Sequence, residues 1–400
     1  MADKENSAPL LLDVTRLIWR RWEGVRPTGI DRICDAWLEH FAPRSQAVII
    51  MRRRQVILPL RASQALFAAL IAGGRAGASV ATFRRDLILI ALRWGWRLLR
   101  TLDGKGRYWL NPGHTGLHIP GLAAWVRQSD VRPVYLIHDL IPITHPETCR
   151  AGEDAKHTAR MLTALQTGAG IIANSQDTLD TLANFASGDG LPLPPACVAW
   201  PGYERLQVEP DAAPSSPPHT ATFVILGTIE GRKNHALLLS VWRRMLADLG
   251  AQCPQLIIIG RRGWQADEVS ATLDTHDFQG KVVEMGALDD AALASILRDA
   301  RALLFPSLAE GFGMPLIEAL AAGIPVIASD LAVFREIAGD VPELLSPQDE
   351  AAWRTTILDY ASPTSALRER QMALLGTFAP PTWDQHFVQL EEFLGRIAKG

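Results

Sequence analysis

Residues 305–329 read FPSLAEGFGMPLIEALAAGIPVIAS, and this stretch decides the fold of the second half of the chain. An apolar strand is predicted to end near Phe305, and a helix to begin at Pro315, whose missing N–H costs nothing in a first turn. Gly323 fits the left-handed position that ends such a helix, and PVIA starts the next strand. The loop and the helix N-terminus expose backbone N–H groups, so the stretch predicts a phosphate-binding site. The loop itself contributes four residues: Glu310, Gly311, Phe312 and Gly313.

Two carboxylates accompany this loop. Glu318 falls about one turn inside the predicted helix, which brings its side chain near the loop that holds Glu310. Carboxylates beside an anion site are favourable when they accept hydrogen bonds from hydroxyl groups, and a nucleotide-sugar has such groups on its ribose and its hexose. The alternative interpretation is an ordinary glycine turn with a surface glutamate.

Short apolar runs and amphipathic segments alternate along the chain. The runs at 47–51, 133–137, 170–173, 223–226, 256–259, 302–305 and 325–328 predict buried strands. The segments at 30–40, 154–165, 236–249, 290–300 and 315–322 predict helices. This alternation is typical of an α/β fold with parallel sheets covered on both faces. Ligands bind such sheets beyond the carboxyl ends of the strands.

The length of 400 residues favours two domains rather than one core. Residues 207–222 read QVEPDAAPSSPPHTAT and predict a linker, because the segment is rich in proline and lacks periodicity. We therefore expect Rossmann-like domains over 1–206 and 223–380. A last helix, 381–400, follows a pair of prolines and is expected to cross back to the N-terminal domain.

Charge and cysteine content limit the partners and the compartment. The net charge of −3 gives no indication of nucleic acid, but residues 42–107 hold 13 lysines and arginines against two acids. Such a surface suits membrane headgroups, a lipid pyrophosphate or an acidic glycan. The four cysteines lack metal-ligand spacing and indicate free thiols in a reducing compartment. The N-terminal sequence lacks the order of a signal peptide, so a cytoplasmic location is expected, with peripheral contact at the inner membrane face as a further option.

The string EGFGMPLIEALAAGIPV resembles the signature of glycosyltransferase family 4, with its two glutamates eight positions apart. This resemblance implies a GT-B fold, in which two Rossmann-like domains face each other across a cleft. It also implies a retaining sugar transfer from a nucleotide-diphosphate donor without a required metal. In this family pattern Glu310 holds the donor sugar, Glu318 holds the ribose diol, and the loop through Met314 borders the donor.

Two other segments of the second half resemble donor-binding elements of the family. GTIEGRKNH at 227–235 is similar to the diphosphate loop, with Gly227 and Thr228 at its start. Many members have an arginine where Thr228 stands, and here Arg232 is expected to take over that charge beside Lys233. Residues 283–293 resemble the segment that borders the nucleoside base through backbone groups at three positions: Met285, Gly286 and Leu288.

The first half is expected to serve the acceptor. In YLIHDLIPITHPE, residues 135–147, the resemblance assigns His138 to the catalytic centre, while Asp139 fits either the acceptor side or an N-cap. In DVTRLIWRRWEGVRPTGIDR, residues 13–32, Gly29 matches the glycine loop near the donor phosphates. The two charges after it are candidates for acceptor or donor contacts, although helix-surface charges have the same appearance: Asp31 and Arg32.

The whole pattern predicts a hexosyltransferase that acts on a glycan or lipid-linked acceptor in surface polysaccharide assembly. GDP-mannose is the favoured donor, because mannosyltransferases often have the GTxExRKN loop, and a UDP-sugar is the second possibility. The basic segment 58–107 suits either a membrane interface or a core-facing helix with a solvated edge. A sugar-nucleotide epimerase and a non-catalytic partner of another transferase are alternatives. A dehydrogenase is disfavoured, since no GxGxxG follows a strand.

Overall fold

The computed structural model describes residues 8–51, 54–75, 77–95, 103–203, 221–286, 288 and 290–399. The chain forms two compact units. The first unit comprises Met1–His138, Ala155–Pro201 and Trp383–Gly400. The second unit comprises Asp139–Asp154 and Gly202–Thr382.

Thirteen strands occur among the described residues. In chain order they are β1 Leu10–Asp13, β2 Ser45–Met51, β3 Arg54–Ile57, β4 Arg107–Asn111, β5 Val131–Ile137, β6 Gly170–Ala173, β7 Ala196–Val198, β8 Thr222–Leu226, β9 Gln255–Ile259, β10 Val282–Met285, β11 Ala302–Phe305, β12 Val326–Ser329 and β13 Glu343–Leu345. The first unit has one sheet in the order β3-β2-β1-β4-β5-β6-β7. The second has one sheet in the order β10-β9-β8-β11-β12-β13. All pairings are parallel except the antiparallel pair of β2 and β3.

Sixteen α-helices accompany these strands in the described part of the chain. They are α1 Thr15–Glu23, α2 Gly29–Phe41, α3 Leu60–Gly74, α4 Val80–Trp94, α5 Leu122–Gln128, α6 Ile141–Thr144, α7 Glu153–Thr167, α8 Gln176–Gly188, α9 His235–Leu249, α10 Asp267–Thr275, α11 Asp290–Asp299, α12 Met314–Ala321, α13 Ala332–Ala338, α14 Glu350–Ala361, α15 Ala366–Leu375 and α16 Trp383–Ile397. None of the described helices is long and apolar enough to cross a bilayer.

The predicted α/β architecture is confirmed. Strands 170–173 and 302–305 match the sequence expectation at both ends, and the other predicted strands and helices differ by one to three residues. The linker expected at 207–222 lies almost wholly outside the described residues. The unit boundaries differ from the expected ones at one further place, since Asp139–Asp154 clusters with the second unit although it precedes the linker.

The last helix returns to the first unit, as the sequence suggested. Apolar side chains along one face of α16 join the core that β1, α2 and α3 build. A buried polar contact fixes its register, because Trp37 Nε1 donates to His386 Nε2 at 2.9 Å. Burial and this contact leave the His386 ring neutral, and burial lowers its pKa to about 4.

The packing of α16 sets the stability of the first unit. Leu390 is 0% exposed, whereas Val388, two residues away on the same helix, is 57% exposed. We expect Leu390→Ala to lower the free energy of unfolding by about 2–5 kcal/mol through lost burial and a residual cavity. The control Val388→Ala should stay within about 0.5 kcal/mol of the wild type. Urea denaturation of both variants measures the difference, and equal midpoints would contradict this packing.

Candidate active site

The candidate site lies in the second unit at the carboxyl ends of two neighbouring strands. Strands β8 and β11 pair directly, and each leads into one of the loops singled out from the sequence. Gly313 caps the N-terminus of α12 with φ of 103°, and a Cβ there would approach the Phe334 ring to 2.7 Å. Glycine at this position therefore serves the backbone conformation and close packing. Gly323 has φ of 75° after the helix, as predicted.

Glu310 is the centre of a buried network of charges. Its Oε1 accepts from Lys233 Nζ at 2.5 Å and from the Ser307 hydroxyl at 2.8 Å. Its Oε2 accepts from Arg232 Nη1 at 2.7 Å. Arg232 Nε in turn pairs with Glu230 at 2.7 Å. Two cations and two carboxylates thus converge on the loop that precedes α12.

The charges of this network hold one another ionised. Burial opposes ionisation of Glu310, but Arg232 and Lys233 outweigh it and lower its pKa to about 2. Burial lowers the pKa of Lys233, and Glu310 counteracts that effect. The Lys233 ammonium also lies 4.5 Å from the centre of the Phe305 ring, a cation–π contact. Carboxylates raise the pKa of Arg232 despite its burial.

Not every donor of this network is occupied within the protein. Arg232 Nη2 has no hydrogen-bond partner among the described residues, since the contacts of this side chain use Nε and Nη1. Lys233 has three donor positions and makes one hydrogen bond, to Glu310. The pair can therefore bind an additional anionic oxygen without releasing Glu310.

Backbone N–H groups of the loop after β8 form hydrogen bonds with the end of β9 and the residues that follow it. Gly227 N donates to Ile259 O, and Ile229 N donates to Arg261 O, both at 2.9 Å. A Cβ on Gly263 would come within 2.6 Å of the Thr228 methyl group, so the two loops pack tightly. These contacts fix the loop that presents Arg232 and Lys233.

Glu318 is buried in α12, which is the position expected from the sequence. The segment expected to border a base is described in part: β10 ends at Met285, and Gly286 and Leu288 follow it. The carbonyl of Met285 accepts from Gly260 N at 3.1 Å. This carbonyl is therefore engaged with the neighbouring strand end.

Segment Asp139–Asp154 adds an element that the sequence analysis placed with the first domain. Asp139 Oδ1 accepts from Ile141 N at 3.1 Å, a local turn that begins one residue before Leu140, the N-cap of α6. Its charge also helps to keep Arg232 protonated. Gly231, next to Arg232, packs against Thr148, since a Cβ there would lie 3.5 Å from Thr148 Cα.

The first-unit candidates have mainly structural contacts. His138 is buried, and its Nε2 donates to Pro112 O at 2.6 Å, which fixes its tautomer. Asp31 accepts four hydrogen bonds, from Arg16 Nε, Arg20 Nε, and the backbone N and hydroxyl of Thr28. It forms the capping box of α2, a helix that begins at Gly29. Three of these bonds reach Oδ2 and one reaches Oδ1, so the contacts of Asp31 within the described structure are structural.

Arg32, the other candidate charge, lies in the first turn of α2, and its backbone N–H donates to Thr28 O. It is partly exposed.

Glu230 and Ser307 are side-chain partners of the candidate residues that sequence reasoning missed. Both lie within three residues of a singled-out residue, and both contact it through the side chain. A carboxylate and a hydroxyl adjacent to paired cations were the available signal. Among the described residues, no group of three or more His, Cys, Asp or Glu side chains could hold a metal ion.

Part of the second unit is similar in sequence to a known family. Residues 220–362 match the family described as Glycosyl transferases group 1. The serotype-specific mannosyltransferase WbdA of Escherichia coli is 31% identical over 234 residues, which are 53% of this chain and 28% of that protein. O-antigen chain mannosyltransferase B of Escherichia coli is 29% identical over 191 residues, 46% of this chain and 45% of that protein. The chain thus spans less than half the length of these relatives.

Solved structures show the fold. HepE of Anabaena, crystallised with UDP, has a TM-score of 0.63 at 15% identity and is covered to 99%, with 97% of this chain. Sucrose-phosphate synthase of Thermosynechococcus elongatus has a TM-score of 0.60 at 16% identity, with 98% and 99% of the two chains covered. The predicted GT-B class of fold is confirmed.

The balance of charges around Glu310 is open to a direct test. Glu310→Gln removes the anion between the buried Lys233 and the partly buried Arg232, and we expect the free energy of unfolding at neutral pH to fall by about 3–5 kcal/mol. Because folding lowers the pKa of Glu310 from 4.5 to about 2, its contribution is complete above pH 4.5 and is lost as the pH falls toward 2. The difference in free energy of unfolding between the wild type and the variant should therefore become smaller as the pH falls from 4.5 toward 2.

Urea denaturation at neutral pH and near the lower end of the window measures this deficit. The exposed Glu392→Gln is the matched control and should change stability by no more than about 0.5 kcal/mol. A deficit that stays the same at both pH values would show that Glu310 is not ionised against these cations.

Proposed function

Because residues 220–362 belong to the group 1 glycosyl transferases, we propose that the chain is a retaining transferase that moves a hexose from a nucleotide-diphosphate sugar to a hydroxylated acceptor. The observation that supports this most directly is the joint attachment of Arg232 and Lys233 to Glu310. Cations held rigid before the ligand arrives stabilise the charge that develops on a leaving diphosphate.

The proposed roles follow from the chemistry of each side chain. Arg232 Nη2 and the remaining donors of Lys233 bind the diphosphate, with the N-terminus of α12 beside them. Glu310, kept anionic, accepts hydrogen bonds from the hydroxyl groups of the hexose. Glu318 accepts those of the ribose. The loop at Gly311 and Phe312 borders the sugar.

The transfer breaks the bond between the anomeric carbon and the phosphate oxygen, and forms a bond from that carbon to the acceptor oxygen. The acceptor attacks from the face that the phosphate leaves, so configuration is retained. Its proton passes to the departing phosphate oxygen. The cations supply the charge stabilisation, and no metal is part of this proposal.

The donor is proposed to be GDP-mannose. Two of the similar proteins are named as mannosyltransferases, one of them of the O-antigen chain, and this chain shares about a third of aligned residues with each. HepE was crystallised with UDP, which makes a UDP-sugar the competing donor. Surface polysaccharide assembly is the proposed context, with a glycan or lipid-linked acceptor.

Glu318→Ala should lower kcat/KM for the donor at least about 100-fold, since each hydrogen bond to a charged group is worth roughly 1.5–3 kcal/mol and both ribose hydroxyls would lose theirs. The assay measures sugar transfer from GDP-mannose, and a thermal-shift series with GDP, UDP, ADP and dTDP ranks the bases. Glu392→Gln serves again as the exposed control. Wild-type kinetics in the Glu318 variant would refute the assignment, and donor conversion without acceptor would indicate an epimerase.

Sugar transfer should persist when a metal chelator is present, and an absolute requirement for a metal ion would contradict the mechanism.

A second part of the proposal concerns helix α4, which we propose touches an anionic membrane surface. Among its residues only Phe83 is buried, whereas Ile88, Leu89 and Leu92 are 50%, 56% and 75% exposed. Arg84 stacks on Trp22 and bonds to its carbonyl, and Arg85 lies nearby. An apolar stripe with flanking arginines matches the boundary between acyl chains and acidic headgroups. Residues 96–102 of the same basic segment lie outside the described residues.

Vesicle co-sedimentation tests this contact. We expect binding to vesicles of phosphatidylcholine mixed with phosphatidylglycerol, weaker binding at high salt, and loss of binding in Leu89→Asp and Leu92→Asp. Val388→Asp places the same charge at an exposed apolar position of α16 and should bind as the wild type does. Equal binding by all variants, or by none including the wild type, would refute the contact.

A further inference from the structure

A row of polar side chains lies along one edge of the first unit's sheet. Asp13 ends β1 and Asn111 ends β4, and these strands pair in register, with Leu12 opposite Leu110. His138 follows β5, the next strand. All three positions are carboxyl ends of parallel strands, the edge at which such sheets bind ligands.

Three residues on this edge have a buried polar atom without a hydrogen-bond partner in the described structure. Two of them end β1 and β4, and the third lies in the loop after β4. The atoms are Asp13 Oδ2, Asn111 Nδ2 and His114 Nε2. Each of these side chains is more than nine-tenths buried. Burying a polar group without a hydrogen-bond partner is unfavourable, so three such atoms along one edge of the sheet require an explanation.

The rest of each side chain is anchored. Asp13 Oδ1 accepts from Thr15 N at 3.0 Å, and Asn111 Oδ1 accepts from Gly113 N at 3.3 Å. A backbone hydrogen bond with Leu136 supports the His114 ring. Each residue therefore has one polar atom available to a ligand, and the anchoring contacts fix the direction in which that atom points.

The loop that bears His114 is held in an unfavourable conformation. His114 has φ of 56°, a left-handed value that non-glycine residues rarely adopt. The loop is fixed from both sides, because His138 Nε2 donates to Pro112 O and a Cβ on Gly113 would lie 3.1 Å from Arg16 Cδ. Strain of this kind persists mainly where it places a side chain for a ligand.

The charges of the row match a neutral ligand. Burial, together with His138, His157 and Arg160, lowers the pKa of His114 well below 6.5, so its ring is uncharged. Burial raises the pKa of Asp13 to about 7. A neutral imidazole that donates to Leu136 O through one nitrogen presents the other as an acceptor. The row therefore offers one fixed donor, Asn111 Nδ2, one fixed acceptor, His114 Nε2, and Asp13 Oδ2, which accepts when the carboxyl is ionised and donates when it is protonated.

We propose that Asp13, Asn111 and His114 form a recognition site for the hydroxyl groups of the acceptor sugar. A hydroxyl group both donates and accepts, so vicinal hydroxyls of a hexose can donate to Asp13 and His114 and accept from Asn111. The proposal rests on the transferase function proposed above. It adds three residues to the reaction, none of which was a candidate from the sequence.

Steady-state kinetics with GDP-mannose as donor and octyl α-D-mannopyranoside as acceptor probe this site. Asp13→Asn keeps the shape of the side chain, and His114→Gly places at φ of 56° the residue that tolerates it. We expect the acceptor KM to rise about tenfold or more in each variant, while the donor KM stays within about twofold. Ser45→Ala is the matched control, because the Ser45 hydroxyl is also buried without a partner but lies at the amino end of β2. Its acceptor KM should not change.

Saturation-transfer NMR of the same mannoside with each protein separates this inference from the proposed function. Transfer by the wild type with an unchanged acceptor KM in Asp13→Asn and His114→Gly overturns the site and leaves the transferase standing. A wild type that transfers nothing contradicts the transferase instead. In that event, loss of mannoside binding in the two variants but not in Ser45→Ala still supports the site, and unchanged or absent binding overturns it.

Discussion

The buried ion pair of Glu310 with Arg232 and Lys233 is the constraint on which the second unit depends. A buried lysine and a partly buried arginine that share one loop would repel each other without a carboxylate between them. Glu310 supplies that charge, and its own loop must therefore stand directly against the loop after β8. The pairing of β8 with β11 brings the two loops together. The order of the strands in the sheet therefore decides whether this network of charges can form.

The second unit was largely predictable because its local signals agree. Apolar runs of four or five residues, a glycine with φ of 103° at Gly313 and a proline early in α12 all indicate the same strand, loop and helix. What the sequence did not predict was the partner of Glu310. The family pattern assigns this glutamate to a sugar and the cations to a diphosphate, whereas the structure joins the three directly. Contacts between loops 77 residues apart depend on the register of the sheet, which residue types alone do not specify.

The first unit was harder to predict for a physical reason. Strand β4 reads RYWLN, whose aromatic residues favour a strand, but it begins with a charge and is not a continuous apolar run, so it was not among the predicted strands. Its pairing on both sides places it in the sheet. From the sequence, Asp31 was a candidate for an acceptor or donor contact, with a helix-surface charge as the alternative. Its four hydrogen bonds to Arg16, Arg20 and Thr28 were not visible from spacing alone. Asp13, whose carboxylate has an unsatisfied atom, looked like an ordinary strand end.

These two residues show what distinguishes a structural acid from a candidate binding acid. Both are buried aspartates near the start of the chain, yet the arginines around Asp31 lower its pKa while burial raises that of Asp13 to about 7. An acid that is paired with two arginines and accepts the backbone N–H of a helix cap, as Asp31 does, stabilises the fold through those bonds. A buried acid with one unsatisfied oxygen reduces the stability of the fold. A ligand that donates a hydrogen bond to that oxygen recovers the lost stability. The same reasoning separates the two proposed binding regions by charge. Fixed cations around Glu310 suit an anionic leaving group, and the nearly neutral row at Asp13 suits a sugar that brings only hydroxyl groups.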